Sequence, residues 1–311
     1  MNSVDFRPVK IAISGGAGFI GAALANELYS HGHKAIKLLD NLSTGDWSRL
    51  NYDADKTLID VANSKEEDLM NILSGTDILF HLSAVKLHNE KNSFDDLLAH
   101  NVIGTQKLLE AAGQVGVKKV VFTSSLYAYG MLEMETFTED LMPFPSTIYG
   151  ASKLFGEGLV SIAAKKYGFE YSIARLFFIY GEKQFSQGGY KSVIINNFER
   201  LKNGKPAIIT GDGEQILDYL HVNDCVNALM ALSDKTTNGV FNVSSALPLS
   251  INELTVEMLK VVGEGNSKYV ESDWTQGTRR VGANKKIYEL TGWSPRISLR
   301  DGLERTWRSL N

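Results

Sequence analysis

The stretch SGGAGFIG, residues 14–21, decides the fold. It follows the apolar run VKIAIS (9–14) and opens a segment in which Ile20, Leu24 and Leu28 recur at spacing four, so it joins a strand to a helix. Gly15, Gly18 and Gly21 form G-x-x-G-x-x-G, spaced slightly differently from the common dinucleotide fingerprint. The physics is the same: one glycine makes the tight turn, one lets the backbone approach a pyrophosphate, and one lets the helix pack on the strand. The helix N-terminus then stabilises the anion. A glycine motif alone is weak, but the next strand, KAIKLLD (34–40), ends in Asp40. That is about 20 positions on, where a carboxylate accepts from ribose hydroxyls and repels a 2′-phosphate. The pattern implies NAD rather than NADP. The strand end IDV (59–61) places Asp60 and Val61 where an adenine would lie, with an ordinary strand terminus as the alternative reading.

Outward from that loop, apolar runs of strand length alternate with helical spacing. KTLIDV (56–61), TDILFHLSA (76–84), KKVVFTSS (118–125) and EYSIARLFF (170–178) read as strands, with helical patterns over Asn101 to Ala112 and from near Tyr149. Strands apolar on both faces and separated by helices imply a parallel sheet covered on both sides. After Gly181 the alternation breaks: GEKQFSQGGY (181–190) reads as loop, a helix follows over about 191–203, and PAIITG (206–211) as a short strand. GVFNVSS (239–245) reads as one more strand of the main sheet, and Ser250 with Glu253 forms a capping box opening a helix. The expected architecture is a Rossmann-type doubly wound parallel sheet over 1–178 with 218–248 returning to it. A smaller, discontinuous α/β lobe takes 179–217 and 249–311, and the cleft between them is the natural ligand site.

The bulk numbers fit. The chain has 311 residues, 43% hydrophobic and 22% charged, enough for a sizeable core. A net charge of −4 without blocks of like charge gives no sign of nucleic-acid or membrane binding. The single cysteine, Cys225, lies in an apolar helical setting and reads as a buried structural thiol, which fits a reducing cytoplasm. MNSVDFRPVK lacks the apolar core of a signal peptide, and no apolar run is long enough to span a bilayer. His31, His33, His88 and His100 show no metal-ligand spacing, and His81 on its apolar strand reads as packed, so no metal is expected.

YGASK (149–153) places Tyr149 and Lys153 at i and i+4 on one helix face. Chance matches to Y-x-x-x-K are common, so the pair gains meaning only from a redox cofactor beside it. In order along the chain, SGGAGFIG, DNLSTG (40–45), FHLSA (80–84), NVIGTQKLLEAA (101–112), VVFTSSLYAYG (120–130), YGASK, ARLFFIYG (174–181), GDGEQILDYLHVNDCVNA (211–228) and LTGWSP (290–295) resemble the extended short-chain dehydrogenase/reductase family. They look most like its nucleotide-sugar epimerase branch, and DNLSTG with Lys86 is most similar to UDP-galactose 4-epimerases.

The resemblance implies roles residue by residue. Tyr149 is the acid/base, Lys153 bonds the nicotinamide ribose, and Ser125 shares the substrate proton, with Ser124 as its neighbour lining the site. A phenol with an ordinary pKa of about 10 is a poor base, so the Lys153 ammonium and the positive nicotinamide ring are expected to draw Tyr149 towards neutrality. NAD is expected against Gly15, Gly18, Phe19, Ile20 and Gly21 of the first loop. Asp40, Asn41, Ser43, Thr44 and Gly45 follow the second strand, and Asp60 and Val61 the third. Leu82, Ser83, Ala84 and Lys86 follow the fourth. Lys86 would reach a phosphate oxygen or stand as a solvated loop lysine; Asn101 is the family's helix-start asparagine or an N-cap.

The substrate side departs from the pattern. Ser125 and Leu126 stand where dehydratases carry an Asp-Glu pair, and Tyr127 and Ala128 where decarboxylases carry a glutamate, so elimination is not expected. The asparagine of the family's R-x-F-N is Phe178, the arginine before Asp218 and Tyr219 is Leu217, and Gly277-Thr278 lacks the late arginine. Losing a charge-assisted phosphate contact costs about 1.5–3 kcal/mol, so Lys183, Lys191, Arg279 and Arg280 are the candidate replacements. The expected function is an NAD-dependent epimerase of a nucleotide-linked sugar, a UDP-sugar favoured, acting at C4 through a 4-keto intermediate. The alternatives are a 4-keto-sugar reductase or dehydrogenase, the same chemistry on a non-nucleotide sugar, or an NAD-binding regulator without turnover. The helices at about 92–112 and 150–166 resemble the family's dimer interface, which implies a homodimer.

Overall fold

Seven parallel strands run through the centre of the molecule, and their order sets where a ligand can bind. The computed structural model describes residues 9–86, 93–131, 134–184, 192–272 and 277–310. In chain order, β1 is Ile11–Ser14, β2 Ile36–Asp40, β3 Asp55–Leu58, β4 Ile78–His81, β5 Lys119–Ser125 and β6 Glu170–Leu176. β7 is Phe178–Tyr180, β8 Ala207–Thr210, β9 Ile216–Leu217, β10 Tyr219–His221, β11 Gly239–Val243, β12 Leu249–Ser250, β13 Ser267–Val270 and β14 Arg279–Arg280. The helices are α1 Phe19–Ser30, α2 Glu66–Leu73, α3 Phe94–Leu98, α4 Thr105–Gln114 and α5 Ile148–Tyr167. After them come α6 Val193–Lys202, α7 Val222–Ala231, α8 Ile251–Val262, α9 Lys285–Thr291 and α10 Leu299–Leu310.

The main sheet has the order β11-β6-β5-β4-β1-β2-β3. The chain leaves β1 in one direction to β2 and returns on its other side with β4, so a crevice opens between the C-terminal ends of β1 and β4. Both sheet faces are covered, as the two-sided apolar strands require. One core packs Ile11, Ile13, Leu24 and Leu28 against Val226, Leu229 and Phe241; the other packs Leu39, Leu79, Leu108, Phe122 and Val160.

A third core, separate from these two, gathers Ile194, Phe198, Ile209, Leu254, Met258 and Leu303 from α6, β8, α8 and α10. Its backbone is paired in small sheets: β7 with β10, β8 with β13, and β12-β9-β14. Buried Asp218, between β9 and β10, locks this part to the main sheet. Its carboxylate accepts from Ser245 N–H and Oγ–H, Ala246 N–H and Gly282 N–H at 2.6–3.1 Å, and burial lifts its pKa to about 6. Ser250 caps α8 with Glu253 in a reciprocal box, as the sequence indicates.

Three boundaries differ from the sequence reading. β3 ends at Leu58 because the Asp60 carboxylate accepts Ala62 N–H and turns the chain. The run 170–178 is two strands: β6 stays with β11 to Leu176, while Phe178 joins β10 and sets its ring against Tyr219. Helical structure before α4 begins earlier than Asn101, with α3 and then a π-helical stretch over Ala99–Gly104. Among the described residues no helix is long and apolar enough to cross a membrane.

Candidate functional site

The crevice between β1 and β4 is lined by the loops that leave β1, β2, β3 and β4. Gly15, Gly18, Asp40, Asn41, Ser43, Thr44, Gly45, Asp60, Val61, Leu82, Ser83 and Ala84 all face it. So do Leu39, Ile59, Ala62, Val85 and His100, which the sequence did not single out. The groove encloses about 670 Å³, counting space open to solvent.

Its walls fit a dinucleotide. Gly15 turns with φ +76°, and a Cβ there would lie 2.8 Å from Ser83 N. A Cβ on Gly21 would lie 2.0 Å from Gly15 O, so the first turn of α1 closes onto the loop only with glycine. The α1 N-terminus at Gly18 has no side-chain cap and no acidic residue in its first turn, which suits a phosphate. The side chains of Phe19 and Ile20 pack against the core, and neither residue is among those that line the groove. Asp40 accepts Ala17 N–H at 3.0 Å and Leu42 N–H at 2.8 Å, one on each oxygen, which leaves acceptor capacity towards the groove.

The strand ends are clamped by a chain of hydroxyls and one imidazole. Thr105 Oγ1–H donates to the Asn101 carbonyl at 2.7 Å, so its oxygen accepts from His81 Nε2–H at 2.9 Å. That leaves His81 Nδ1 to accept from Ser14 Oγ–H at 2.7 Å, and Ser83 Oγ–H donates to Ser14 at 3.1 Å. Burial, then Lys153, lowers the His81 pKa to about 3, so the ring is a neutral strut and not a ligand. Asn101 is neither an N-cap nor on the groove wall. From the middle of the π-helical stretch it accepts Val85 N–H at 2.7 Å and donates to Val85 O at 2.9 Å and Ser152 Oγ at 3.0 Å. It ties the loop after β4 to α5.

At the C-terminal end of β5, Ser125 Oγ accepts Tyr127 N–H at 3.3 Å and hydrogen-bonds Tyr149. Thr147 caps α5 through Gly150 N–H, and a Cβ on Gly150 would lie 2.2 Å from Tyr127 O. A glycine one residue after Tyr149 therefore lets the first helical turn reach Ser125. Ser124 faces the other way: its hydroxyl donates to Glu157 Oε1 at 2.5 Å, because neighbouring residues on a strand point to opposite faces. Arg175 grips the same carboxylate with two bonds of 2.7 and 2.9 Å and lies 4.4 Å from the centre of the Tyr129 ring.

Charge at this end differs from expectation. Tyr149 is half-buried. Burial raises its pKa, the Ser125 hydrogen bond opposes this, and Tyr127 adds to the rise. The chain by itself does not make this phenol a base. Lys153 is buried with its amine 4.5 Å from the centre of the Phe122 ring, and desolvation, then Lys86, lowers its pKa to about 7 against the pull of Glu157. Lys86 stays exposed as a residue, but its ammonium is 5.8 Å from the centre of the Tyr149 ring, and desolvation lowers its pKa too. It follows Val85, which lines the groove.

The substrate-side candidates separate. Lys183 donates to Arg49 O and Asn51 Oδ1 at 3.0 and 2.9 Å, and so straps two loops together. Arg279 donates to the Glu135 carbonyl at 2.8 Å, and Phe178 packs in the third core. Lys191 lies outside the described residues. Arg280 is buried, 5.1 Å from the centre of the Tyr127 ring, which itself meets the Tyr149 ring edge-on at 6.0 Å. Cys225 is buried in α7 with its thiol pKa pushed up by burial. Among the described residues no group of three His, Cys, Asp or Glu could hold a metal ion.

A lysine lowered from 10.5 to about 7 releases its proton earlier in the folded protein than in the unfolded chain. Stability from this group is therefore present above pH 10.5 and is lost as pH falls towards 7. Carbon NMR of lysine-labelled protein should show one side chain titrating near pH 7, and Lys153→Met should remove that resonance; a signal that titrates only above pH 10 would contradict this environment.

The model of the NAD dependent epimerase/dehydratase family matches residues 11–244. The UDP-glucose 4-epimerase of Mycolicibacterium smegmatis is 31% identical over 308 residues, which cover 96% of this chain and 97% of that protein. The UDP-glucose 4-epimerase of Thermotoga maritima, solved with UDP-glucose, superposes with a TM-score of 0.89 at 29% identity, over 97% of this chain and 98% of that one. The UDP-N-acetylglucosamine 4-epimerase of Methanobrevibacter ruminantium, solved with UDP-N-acetylmuramic acid, has the same TM-score at 26% identity over the same shares. Sheet order, groove and sequence together place this chain in the NAD dependent epimerase/dehydratase family.

Proposed function

We propose that the protein is an NAD-dependent epimerase that inverts C4 of a nucleotide-linked sugar, a UDP-sugar being favoured. The observation that carries this reading is the Ser125–Tyr149 hydrogen bond, formed at the end of β5 beside the groove and one helical turn from buried Lys153. Bound NAD would supply the hydride acceptor and, in its oxidised form, a positive charge.

Tyr149 takes the proton of the sugar 4-hydroxyl as the carbon loses hydride, and Ser125 bridges the two oxygens. Lys153 would hold the cofactor ribose; with its pKa near 7 it can also pass or receive a proton close to neutrality. The 4-keto sugar turns in the cleft bordered by residues 179–217 and 249–311, and Tyr149 returns the proton after hydride reaches the other face. Leu126, Tyr127 and Ala128 offer no carboxylate to drive elimination or decarboxylation.

A nucleotide diphosphate needs a cation where Leu217 has replaced one. Arg280 lies beside Leu217 in the β9–β14 pair, which supports a supply of that charge from the adjacent strand. Exposed Phe94, Leu98 and Ile103 near the start of one helix, and Phe155 and Ile162 on α5, support a homodimer through these helices. The reduced thiol of Cys225 supports a cytoplasmic setting.

Incubated with UDP-, dTDP- and GDP-sugars, the protein should interconvert sugar epimers without net change in nicotinamide absorbance; net NADH consumption would favour a reductase instead. Tyr149→Phe should lower turnover by a factor of about 10²–10⁴ while leaving NAD bound, and an unchanged rate would remove Tyr149 from the chemistry. Arg280→Leu should raise KM for the nucleotide sugar by roughly ten- to hundredfold with kcat nearly constant. Phe155→Glu combined with Ile162→Glu should sediment as a monomer where the parent protein sediments as a dimer.

A further inference from the structure

His100 stands on the groove wall next to Asp60, and both of its ring nitrogens have a polar partner. The π-helical stretch Ala99–Gly104 turns consecutive residues to different tasks: Asn101 points inward to Val85 and Ser152, while His100 reaches the groove. His100 Nδ1 lies 2.7 Å from the Asp96 carbonyl oxygen. A carbonyl only accepts, so Nδ1 carries a proton. The other nitrogen, Nε2, faces Asp60 Oδ2 at 3.4 Å. A neutral ring would set a lone pair against that carboxylate; only the doubly protonated ring donates to both partners.

Asp60 is otherwise fixed from its own loop. Oδ1 accepts Ala62 N–H at 3.0 Å and Oδ2 accepts Asn63 Nδ2–H at 2.9 Å. With His100 added, Oδ2 has two donors and Oδ1 has one, so one lone pair of Oδ1 stays available in a residue that lines the groove. Burial pushes this carboxyl up, but Asn63, His100 and Ala62 together outweigh it and hold it below the usual carboxylate range. The other charged groups about the ring are Asp96, whose carboxylate is engaged by Ser93, and Lys107, two turns further along, whose ammonium is held by the Ala62 and Ser64 carbonyls.

We infer that His100, in its cationic form, is a positioning residue that holds the Asp60 carboxylate towards the purine end of the groove and thereby selects a 6-amino purine. A carboxylate accepts from the amino group of adenine and repels the 6-oxo group of hypoxanthine. When His100 loses its proton, Asp60 loses one donor and gains a facing lone pair, so both cofactor affinity and purine preference weaken with rising pH. This inference rests on the groove being the NAD site.

The test is calorimetric titration with NAD and with nicotinamide hypoxanthine dinucleotide at pH 6 and pH 8.5. The parent protein should prefer NAD by roughly tenfold at pH 6, and NAD affinity should fall several-fold by pH 8.5. His100→Gln donates an N–H at both pH values, so it should keep the preference and lose the pH dependence. His100→Ala should lose both, with a melting temperature within a few degrees of the parent, and Asp60→Asn, which removes the carboxylate through which His100 acts, should lose both as well. If NAD binds but the parent and His100→Gln show the same pH slope, or if the parent does not distinguish the two dinucleotides, the inference fails while the cofactor site stands. If the parent binds no NAD at either pH, the cofactor reading fails with it.

Discussion

Glu157 sits one helical turn from Lys153 and two from Tyr149 along α5, and it accepts from Arg175 on β6 and Ser124 on β5. The helix that bears Tyr149 is thereby tied to two central strands by one buried carboxylate. A buried ion pair of this kind adds little net stability, because desolvation offsets the attraction, but it fixes geometry: a displaced helix would leave two opposite charges uncompensated in the core. Arg175 gains a second surface in the Tyr129 ring, and Tyr129 in turn donates to Asn242 on β11. Three adjacent strands and one helix thus share one polar core layer directly beneath the site.

The alternation of side chains along β5 explains why two neighbouring serines have different fates. Ser124 belongs to that buried layer, and Ser125 emerges towards Tyr149. The same economy operates at the crevice. Ser83, Ser14, His81, Thr105 and Asn101 form one directional chain of hydrogen bonds, each donor satisfied in turn. A buried network of this sort is stabilising only when complete, and its completeness holds the β1 and β4 ends at a fixed separation while the loops beyond them stay open to a ligand.

The electrostatics of the chain and those of the family's chemistry are complementary. Burial drives both Tyr149 and Lys153 towards their neutral forms, so at neutral pH the site holds a protonated phenol and an amine that exchanges its proton easily. Additional positive charge in the groove would then move the phenol far more than in water, because the surroundings are poorly polarisable. On the substrate side, Leu217 and Arg280 are distant in sequence yet neighbours in register, and Arg280 is buried 5.1 Å from the centre of the Tyr127 ring.

Much of this was legible in sequence. The strand–glycine–helix junction, Asp40 at the end of β2 and the Tyr149–Lys153 spacing depend on local chain geometry, which a linear pattern records directly. The limits of that reading are equally physical. Asn101, Ser124 and Lys183 are polar residues in plausible motif positions, but their partners, Val85 and Ser152, Glu157, and Arg49 and Asn51, are set by packing between elements. Nothing in the linear pattern marked His100, since its place on the groove wall depends on a π-helical stretch and on a loop forty residues earlier. The sequence by itself determined the fold and the cofactor groove, because periodicity and turn chemistry act within a few residues. Only the tertiary structure decided which serine faces Tyr149, where Arg280 lies and how burial shifts Tyr149 and Lys153, because desolvation and long-range register exist only once the chain has packed.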